Sequence, residues 1–371
     1  MNIYYDENMP WVTQFFSGFG TLTPFSGRDV TTDKIRDAHV LLTRSITQVN
    51  ADLLDGCSQL EFVGTATIGF DHIDRQYLQQ RNIAFTNSPG CNANSVAEYV
   101  VSALFVLQQK YDVDLRELCV GIVGAGNTGS ALQTKLDALG IRYLLCDPPK
   151  QQAGDPRSFV DYQTLLSQSD IVSFHVPKVK EGVHRTIDLF GDDHMAAAKP
   201  GQMFINACRG EVIDNNAMLK AKQKGWKNPV VLDVWANEPH IEQALIPYVD
   251  IATPHIAGHS IDGKARGTEM LYAELCKRKQ LPISYSYKEF LPESIFTSIS
   301  VSTDLQWHDL GRLIHLVYDV RRDDAIFRNR LSKNGFDGLR KHYPVRYEFS
   351  ALQVTSAKQS DQTILSNLGF G

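Results

Sequence analysis

The chain has 371 residues, of which 43% are apolar and 21% charged, and a net charge of −5. That length exceeds what one hydrophobic core usually supports and points to two or three domains. The mild acidity gives no general pull toward nucleic acid or an anionic membrane, so neither is expected as a partner.

No apolar run approaches the roughly eighteen residues of a membrane span. The acidic start MNIYYDENMP lacks the basic and apolar regions of an export signal, so a cytoplasmic protein is expected. Cys57, Cys91, Cys119, Cys146, Cys208 and Cys276 form no C-x-x-C pair. Neither zinc nor redox chemistry is signalled, and reduced thiols are expected.

The predicted elements run as follows. NIYYDE, AHVLLTRS, EFVGTAT and IAFTNSPG read as short strands, spaced widely enough for crossover helices, which is the rhythm of a parallel α/β sheet. NSVAEYVVSALFVLQQK reads as a helix apolar on most of its circumference, hence buried between domains. CVGIVGAGNTGSALQTKLDALGIRYLLCDPP is a strand, glycine turn, helix and strand, a βαβ unit. DIVSFHVP, MFINACR, PVVLDVW and DIATPHIA are further strands. LPISYSYKEFLPES reads as an irregular connection. LQWHDLGRLIHLVYDVRRDDAIFRNRL then reads as one helix, followed by the strand-like RYEFSALQVTS and a last short helix. This tail is predicted to be a third, small unit.

Gly124, Gly126 and Gly129 form G-x-G-x-x-G. The pattern is weak alone, but here a strand precedes it, a helix follows it, and Asp147 ends the next strand. The first glycine permits a tight turn, the second lets a pyrophosphate approach the backbone, and the third lets helix and strand pack closely. The helix N-terminus, with Asn127 and Thr128 in its first turn, offers free N–H groups to phosphate. The Asp147 carboxylate suits the ribose hydroxyls and repels a 2′-phosphate, which favours NAD over NADP.

Ligands of a doubly wound sheet sit outside the C-terminal strand ends. Arg209 ends MFINAC, Glu238 follows VVLDVWAN, and His255 lies in IATPHIAGH. On neighbouring parallel strands these three would converge. A guanidinium grips a carboxylate with its planar fork. An imidazole exchanges a proton near neutral pH. A carboxylate beside the imidazole fixes its tautomer and favours its charged form. The set suits dehydrogenation of a 2-hydroxy acid, with His255 taking the hydroxyl proton. Taken singly, each has a plainer reading: a strand-end arginine, a turn glutamate before Pro239, a satisfied loop histidine. His255 and His259 have H-x-x-x-H spacing, but Pro254 and Gly258 argue against the helix a metal pair needs, so no metal is expected. Cys208 has no evident partner for a nucleophile.

GIVGAGNTG, INACRGEVID, VLDVWANEP and TPHIAGHS, in that order, resemble the D-2-hydroxyacid dehydrogenases. The resemblance implies catalytic roles for Arg209, Glu238 and His255. DENMP, TRSIT, VGTATIGFDHID, PGCNANSVAEYV, HIAGHSIDGKARGTE and HLVYDVRRDDAIFR are similar to one branch of that family. Its members oxidise a small phosphorylated 2-hydroxy acid on the route to pyridoxal phosphate, and their tail supports a homodimer. The same resemblance implies that Ser45 and Thr67 contact substrate and that Asp147, Val176, Asp233 and Gly258 serve the cofactor. His259 falls where a tyrosine can stand beside the substrate.

The implied plan is a Rossmann-type doubly wound cofactor domain, residues 96–255, inserted in a flavodoxin-like α/β substrate domain, residues 1–95 and 256–285. A small α+β dimerisation domain, residues 286–371, completes it. The two crossings would form a hinge whose closure excludes water. Arg44 is the first candidate for the substrate phosphate, with Arg266, Arg321 and Arg322 behind it. Two other readings are another substrate, such as 3-phosphoglycerate or an unphosphorylated hydroxy acid, and an NAD-sensing corepressor-like role.

Overall fold

The first hundred residues spend their β-branched and aromatic residues in short runs, and these pair as strands β1 (Asn2–Asp6), β2 (Thr21–Phe25), β3 (Val40–Thr43), β4 (Phe62–Thr65) and β5 (Ala84–Asn87). All are parallel, in the order β2-β1-β3-β4-β5, the flavodoxin-like arrangement. β2 was not legible in the sequence. Its TLTPF carries a proline, which an edge strand tolerates because one side of its backbone needs no partner. β3 and β4 are buried throughout. The helix Ile261–Lys279 returns to this sheet and buries Leu271, Tyr272 and Leu275 against Ile3, Phe15 and Phe62.

The computed structural model describes residues 1–371 and divides them into two units. One is Met1–Asn92 with Ser260–Pro292, the unit just described; the other is Ala93–His259 with Glu293–Gly371.

The second unit holds a six-stranded parallel sheet: β6 (Cys119–Val123), β7 (Arg142–Cys146), β8 (Ile171–Phe174), β9 (Met203–Asn206), β10 (Val230–Leu232) and β11 (Ile251–Ala252). The order is β11-β10-β9-β8-β6-β7, so the winding direction reverses between β6 and β8. Val160 donates its N–H to Leu145 O at 2.9 Å, which lays one more residue along the β7 edge. Helix α1 (Ala93–Tyr111) is buried over most of its surface, and α2 (Asn127–Leu139) packs beside it.

The tail belongs to this second unit. Where one helix was predicted there are two, α3 (Trp307–Val317) and α4 (Val320–Lys341, kinked at Gly335), with a short parallel pair, β12 (Ser298–Val301) and β13 (Gln353–Ser356), and α5 (Gln359–Leu368). The break falls at Tyr318. Tyr318 is extended and buried, and Asp319 caps the new helix through Arg321 N–H. α1 is apolar on most of its circumference because tail residues cover it as well as the sheet side. Trp307 stacks on Phe105 at 5.2 Å, and a Cβ on Gly311 would lie 2.8 Å from the Phe105 ring. Leu310, Ile314, Leu365 and Leu368 join the same core as Val100, Leu104, Ile122 and Leu136.

Candidate active site

The glycine loop closes the C-terminal end of β6, at the reversal of the sheet. Gly124 has φ +93°, a left-handed conformation that favours glycine, and a Cβ there would lie 2.6 Å from His175 O. A Cβ on Gly129 would lie 2.0 Å from Gly124 O, so the first turn of α2 sits directly on the loop. Gly126 is the opposite case: nothing lies within 4 Å of where its Cβ would be, and it heads α2 without a side-chain cap. The cradle a side chain would fill is therefore open at the helix N-terminus, beside Asn127 and Thr128, which fits a pyrophosphate.

Asp147 accepts Ala125 N–H at 2.8 Å on one oxygen and Lys150 N–H at 3.1 Å on the other. It thus braces the glycine loop from the end of β7 and keeps lone pairs for a ribose. Val176 stands beside the loop, its Cγ1 2.9 Å from a Gly124 Cβ position. Arg157 was not anticipated. Its guanidinium donates to Ala125 O, Ser130 Oγ and Gln133 Oε1 at 2.9 to 3.2 Å, and is paired with Asp155 at 2.8 Å. Its only signal was one more arginine past the aspartate strand. These residues fit NAD, and none of them leaves a free cation for a 2′-phosphate.

β9, β10 and β11 are adjacent and parallel, so Arg209, Glu238 and His255 follow three neighbouring strand ends. His255 donates Nδ1–H to Glu238 Oε2 at 2.6 Å, and the other Glu238 oxygen accepts Trp235 N–H at 2.8 Å. With Nδ1 carrying the proton, Nε2 is the acceptor. Burial pushes the Glu238 carboxyl upward, but the His255 it faces and the Arg340 guanidinium outweigh that, and its pKa falls below the ordinary value. Arg209 Nη1 donates to Cys208 O at 2.7 Å. A Cβ on Gly210 would lie 1.9 Å from the Trp235 carbonyl carbon, so only glycine lets the Arg209 turn meet the backbone that holds Glu238. The Cys208 thiol is pushed up to about 11 by burial, which removes it as a nucleophile at neutral pH.

The His255 backbone is in the left-handed region, φ +57°, rare for a residue with a side chain. Asp233, 1% exposed, holds it there. Its carbonyl accepts His255 N–H at 2.6 Å. Its carboxylate accepts Thr253 Oγ1–H, Ile256 N–H and Ala257 N–H at 2.7 to 2.9 Å. Those bonds fill about three of four acceptor directions and leave about one for a cofactor amide. Gly258 and His259 complete the turn, with His259 N–H on Ile256 O at 2.8 Å and its ring edge-on to Tyr343 at 5.9 Å.

The other candidates lie in the first unit. Arg44 and Ser45 follow β3, and Thr67 follows β4, at the same end of neighbouring strands. Ser45 is exposed. Thr67 Oγ1 lies 2.8 Å from Thr65 Oγ1 and donates to Gly69 O. Arg266 lies over the Tyr287 ring at 5.4 Å. In the second unit Arg321 is paired with Asp319 at 2.7 Å.

Residues 94–257 match the family model of the D-isomer specific 2-hydroxyacid dehydrogenase NAD binding domain, and residues 290–369 match one described as a domain of unknown function. The erythronate-4-phosphate dehydrogenase of Pseudoalteromonas translucida is 49% identical over 370 residues, all of this chain and 99% of the relative. That of Colwellia psychrerythraea is 49% identical over 391 aligned positions with the same coverage. Among solved structures, D-lactate dehydrogenase from Aquifex aeolicus with NAD and lactic acid aligns at a TM-score of 0.63 and 22% identity, over 76% of this chain and 96% of that one. NAD-bound 3-phosphoglycerate dehydrogenase from Entamoeba histolytica aligns at 0.65 and 19%, over 76% and 95%. At that identity the two structures establish the fold. The full-length relatives establish more: with a doubly wound NAD-binding domain at its centre, this chain belongs to the erythronate-4-phosphate dehydrogenase family of D-isomer specific 2-hydroxyacid dehydrogenases.

Proposed function

We propose that the protein oxidises 4-phospho-D-erythronate to 3-hydroxy-2-oxo-4-phosphobutanoate with NAD, in the cytoplasm, as a homodimer and as a step toward pyridoxal 5′-phosphate. The observation that supports this most is the 2.6 Å bond from His255 Nδ1 to Glu238 Oε2, past the ends of β11 and β10, with β10 paired in turn to β9, which leads to Arg209. The full-length likeness to dehydrogenases named for this substrate supports the choice of hydroxy acid.

The roles follow from the chemistry of the groups. Arg209 holds the substrate carboxylate and the neighbouring oxygen, which orients C2. His255 Nε2 takes the C2 hydroxyl proton, and Glu238 compensates the charge that the imidazole gains. A bound NAD would supply the hydride acceptor for C2. Asp147, Gly124, Gly126, Asn127, Thr128, Gly129, Val176 and Gly258 would hold the cofactor, and Asp233 its amide. Ser45 and Thr67 are proposed as substrate contacts, Arg44 as a phosphate contact, and His259 as a group beside the substrate.

Nicotinamide absorbance during turnover tests the reading. Purified protein receives NAD with 4-phospho-D-erythronate, 3-phosphoglycerate or D-lactate, with and without a 2-oxo acid to recycle retained cofactor. Selective turnover of the first is expected. Turnover of another hydroxy acid alone would discard the substrate, and binding of NAD without any turnover would discard the enzymatic reading.

A further inference from the structure

The C-terminal tail reaches the loop that carries His255 with a buried charge. Arg346 is 5% exposed. Its Nη1 donates to Ala257 O at 2.9 Å, its Nη2 donates to Ser95 O at 2.7 Å, and its guanidinium carbon lies 3.5 Å from the centre of the Tyr318 ring. Each carbonyl stands three residues from a point where the chain passes between its two units, Ser95 after Asn92 and Ala257 before Ser260. Ala257 is also two residues past His255, and its N–H is held by Asp233. The loop is thus gripped on both edges, its N–H groups by Asp233 and its carbonyl by Arg346.

Neighbouring tail residues reinforce the grip. Glu348 accepts Ser95 Oγ–H at 2.6 Å and an Asn94 N–H at 3.0 Å. Asp324 accepts Ala252 N–H at 2.7 Å, on the strand that leads into the loop. Tyr343 lies against His259.

Adhesion alone does not call for this arrangement. Leu310, Ile314, Phe349, Leu365 and Leu368 already bury the tail against the second unit's core. Burying a guanidinium is costly unless it is well bonded, and apolar packing would hold the tail at lower cost. A planar fork adds direction: it fixes two carbonyls at a set separation. His255 needs this, because a side-chain-bearing residue at positive φ persists only where its surroundings over-determine it.

We propose that Arg346 is a positioning residue for the reaction: by bridging Ala257 O and Ser95 O it fixes the loop that presents His255, which makes the tail part of the catalytic apparatus. The inference rests on the dehydrogenase reading of the site.

The test compares full-length wild type with Arg346→Met and Arg346→Lys, each checked for native circular dichroism. A displaced loop should lower kcat of Arg346→Met by about thirtyfold or more, since a misplacement of about 1 Å can cost a hundredfold. KM for 4-phospho-D-erythronate and NAD affinity, read by fluorescence titration, should stay within about threefold. The primary isotope effect with C2-deuterated substrate should rise as chemistry becomes limiting. Amide exchange of residues 252–259 should speed up. Arg346→Lys, which keeps the charge but reaches one carbonyl, should lose only about three- to tenfold in kcat. A folded Arg346→Met enzyme with wild-type kcat would overturn the proposal, as would one that loses NAD affinity in parallel with kcat. If the Met variant does not fold, wild-type kcat and isotope effect in Arg346→Lys would overturn it. A wild type without turnover would instead sink the dehydrogenase reading itself.

Discussion

Glu238 meets His255 edge to edge, carboxylate Oε2 to imidazole Nδ1 at 2.6 Å, while its second oxygen is tied to Trp235 N–H. The carboxylate cannot rotate away without breaking its partly buried bond to Trp235 N–H, which holds the imidazole in one orientation with Nδ1 protonated. Glu238→Gln keeps the shape and removes the charge. It should lower kcat at neutral pH by about a hundredfold, within the range for general acid–base groups, and change the pH–rate profile. Because the folded Glu238 carboxyl titrates below its ordinary value, its contribution to stability is present above the unfolded carboxyl pKa and is lost as pH falls through the folded one. Acid unfolding followed by fluorescence should therefore show a smaller loss in Glu238→Gln. An unchanged pH–rate profile would remove the pairing from the mechanism.

The glycine loop separates folding from binding. Gly126→Ala puts a methyl into open space at ordinary φ, so the melting temperature should stay within a few degrees. NAD affinity should fall about tenfold or more, because the methyl occupies the space a pyrophosphate needs. Gly129→Ala puts its Cβ 2.0 Å from Gly124 O and should destabilise the domain by about 1–3 kcal/mol, as overpacking does. Thermal melts beside NAD titrations check the pair, and equal behaviour of the two variants would contradict the assignment.

The role proposed for Asp147 predicts a preference between the two nicotinamide dinucleotides. Arg157 cannot serve a 2′-phosphate while Asp155 and the loop occupy it. Asp147→Ser should raise the ratio of kcat/KM for NADP to that for NAD by about tenfold or more, a shift of about 1.4 kcal/mol. It should also loosen the loop, since Ala125 N–H loses its acceptor. Steady-state kinetics with both cofactors give the ratio.

Glu98 predicts a pH dependence of stability. It lies buried in α1, with Lys135 and the tail's Phe349 N–H as partners. Burial raises its pKa to about 7, against the pull of Lys135. A folded value above the unfolded one means the contribution is fully present below the ordinary carboxylate range and is lost as pH rises through about 7. Its size is on the order of 3 kcal/mol. Urea unfolding from about pH 4.5 to 8 should show wild type losing stability relative to Glu98→Gln as pH rises. Parallel curves would mean that Glu98 is charged throughout.

The glycine loop, the three strand-end residues and most strands were legible because each leaves its pattern in a short stretch of sequence. A run such as MFIN is apolar because its strand is buried on both faces, and G-x-G-x-x-G encodes a turn that other residues cannot make. β2 escaped notice because an edge strand makes weaker demands on composition. The split of the tail helix at Tyr318 escaped because its cause, burial of that ring and its bond to Asp323, lies in packing.

By itself, then, the sequence determined the βαβ unit that binds the dinucleotide, its aspartate, and the order of arginine, glutamate and histidine. Only the tertiary structure decided what holds them. Asp233 turned out to carry the His255 loop, Arg157 to brace the glycine loop, and Arg346, nearly ninety residues beyond Ala257, to clasp its carbonyl. The physical reason is that a charged side chain can be buried only where donors and acceptors meet it, and chain topology alone brings such distant partners together.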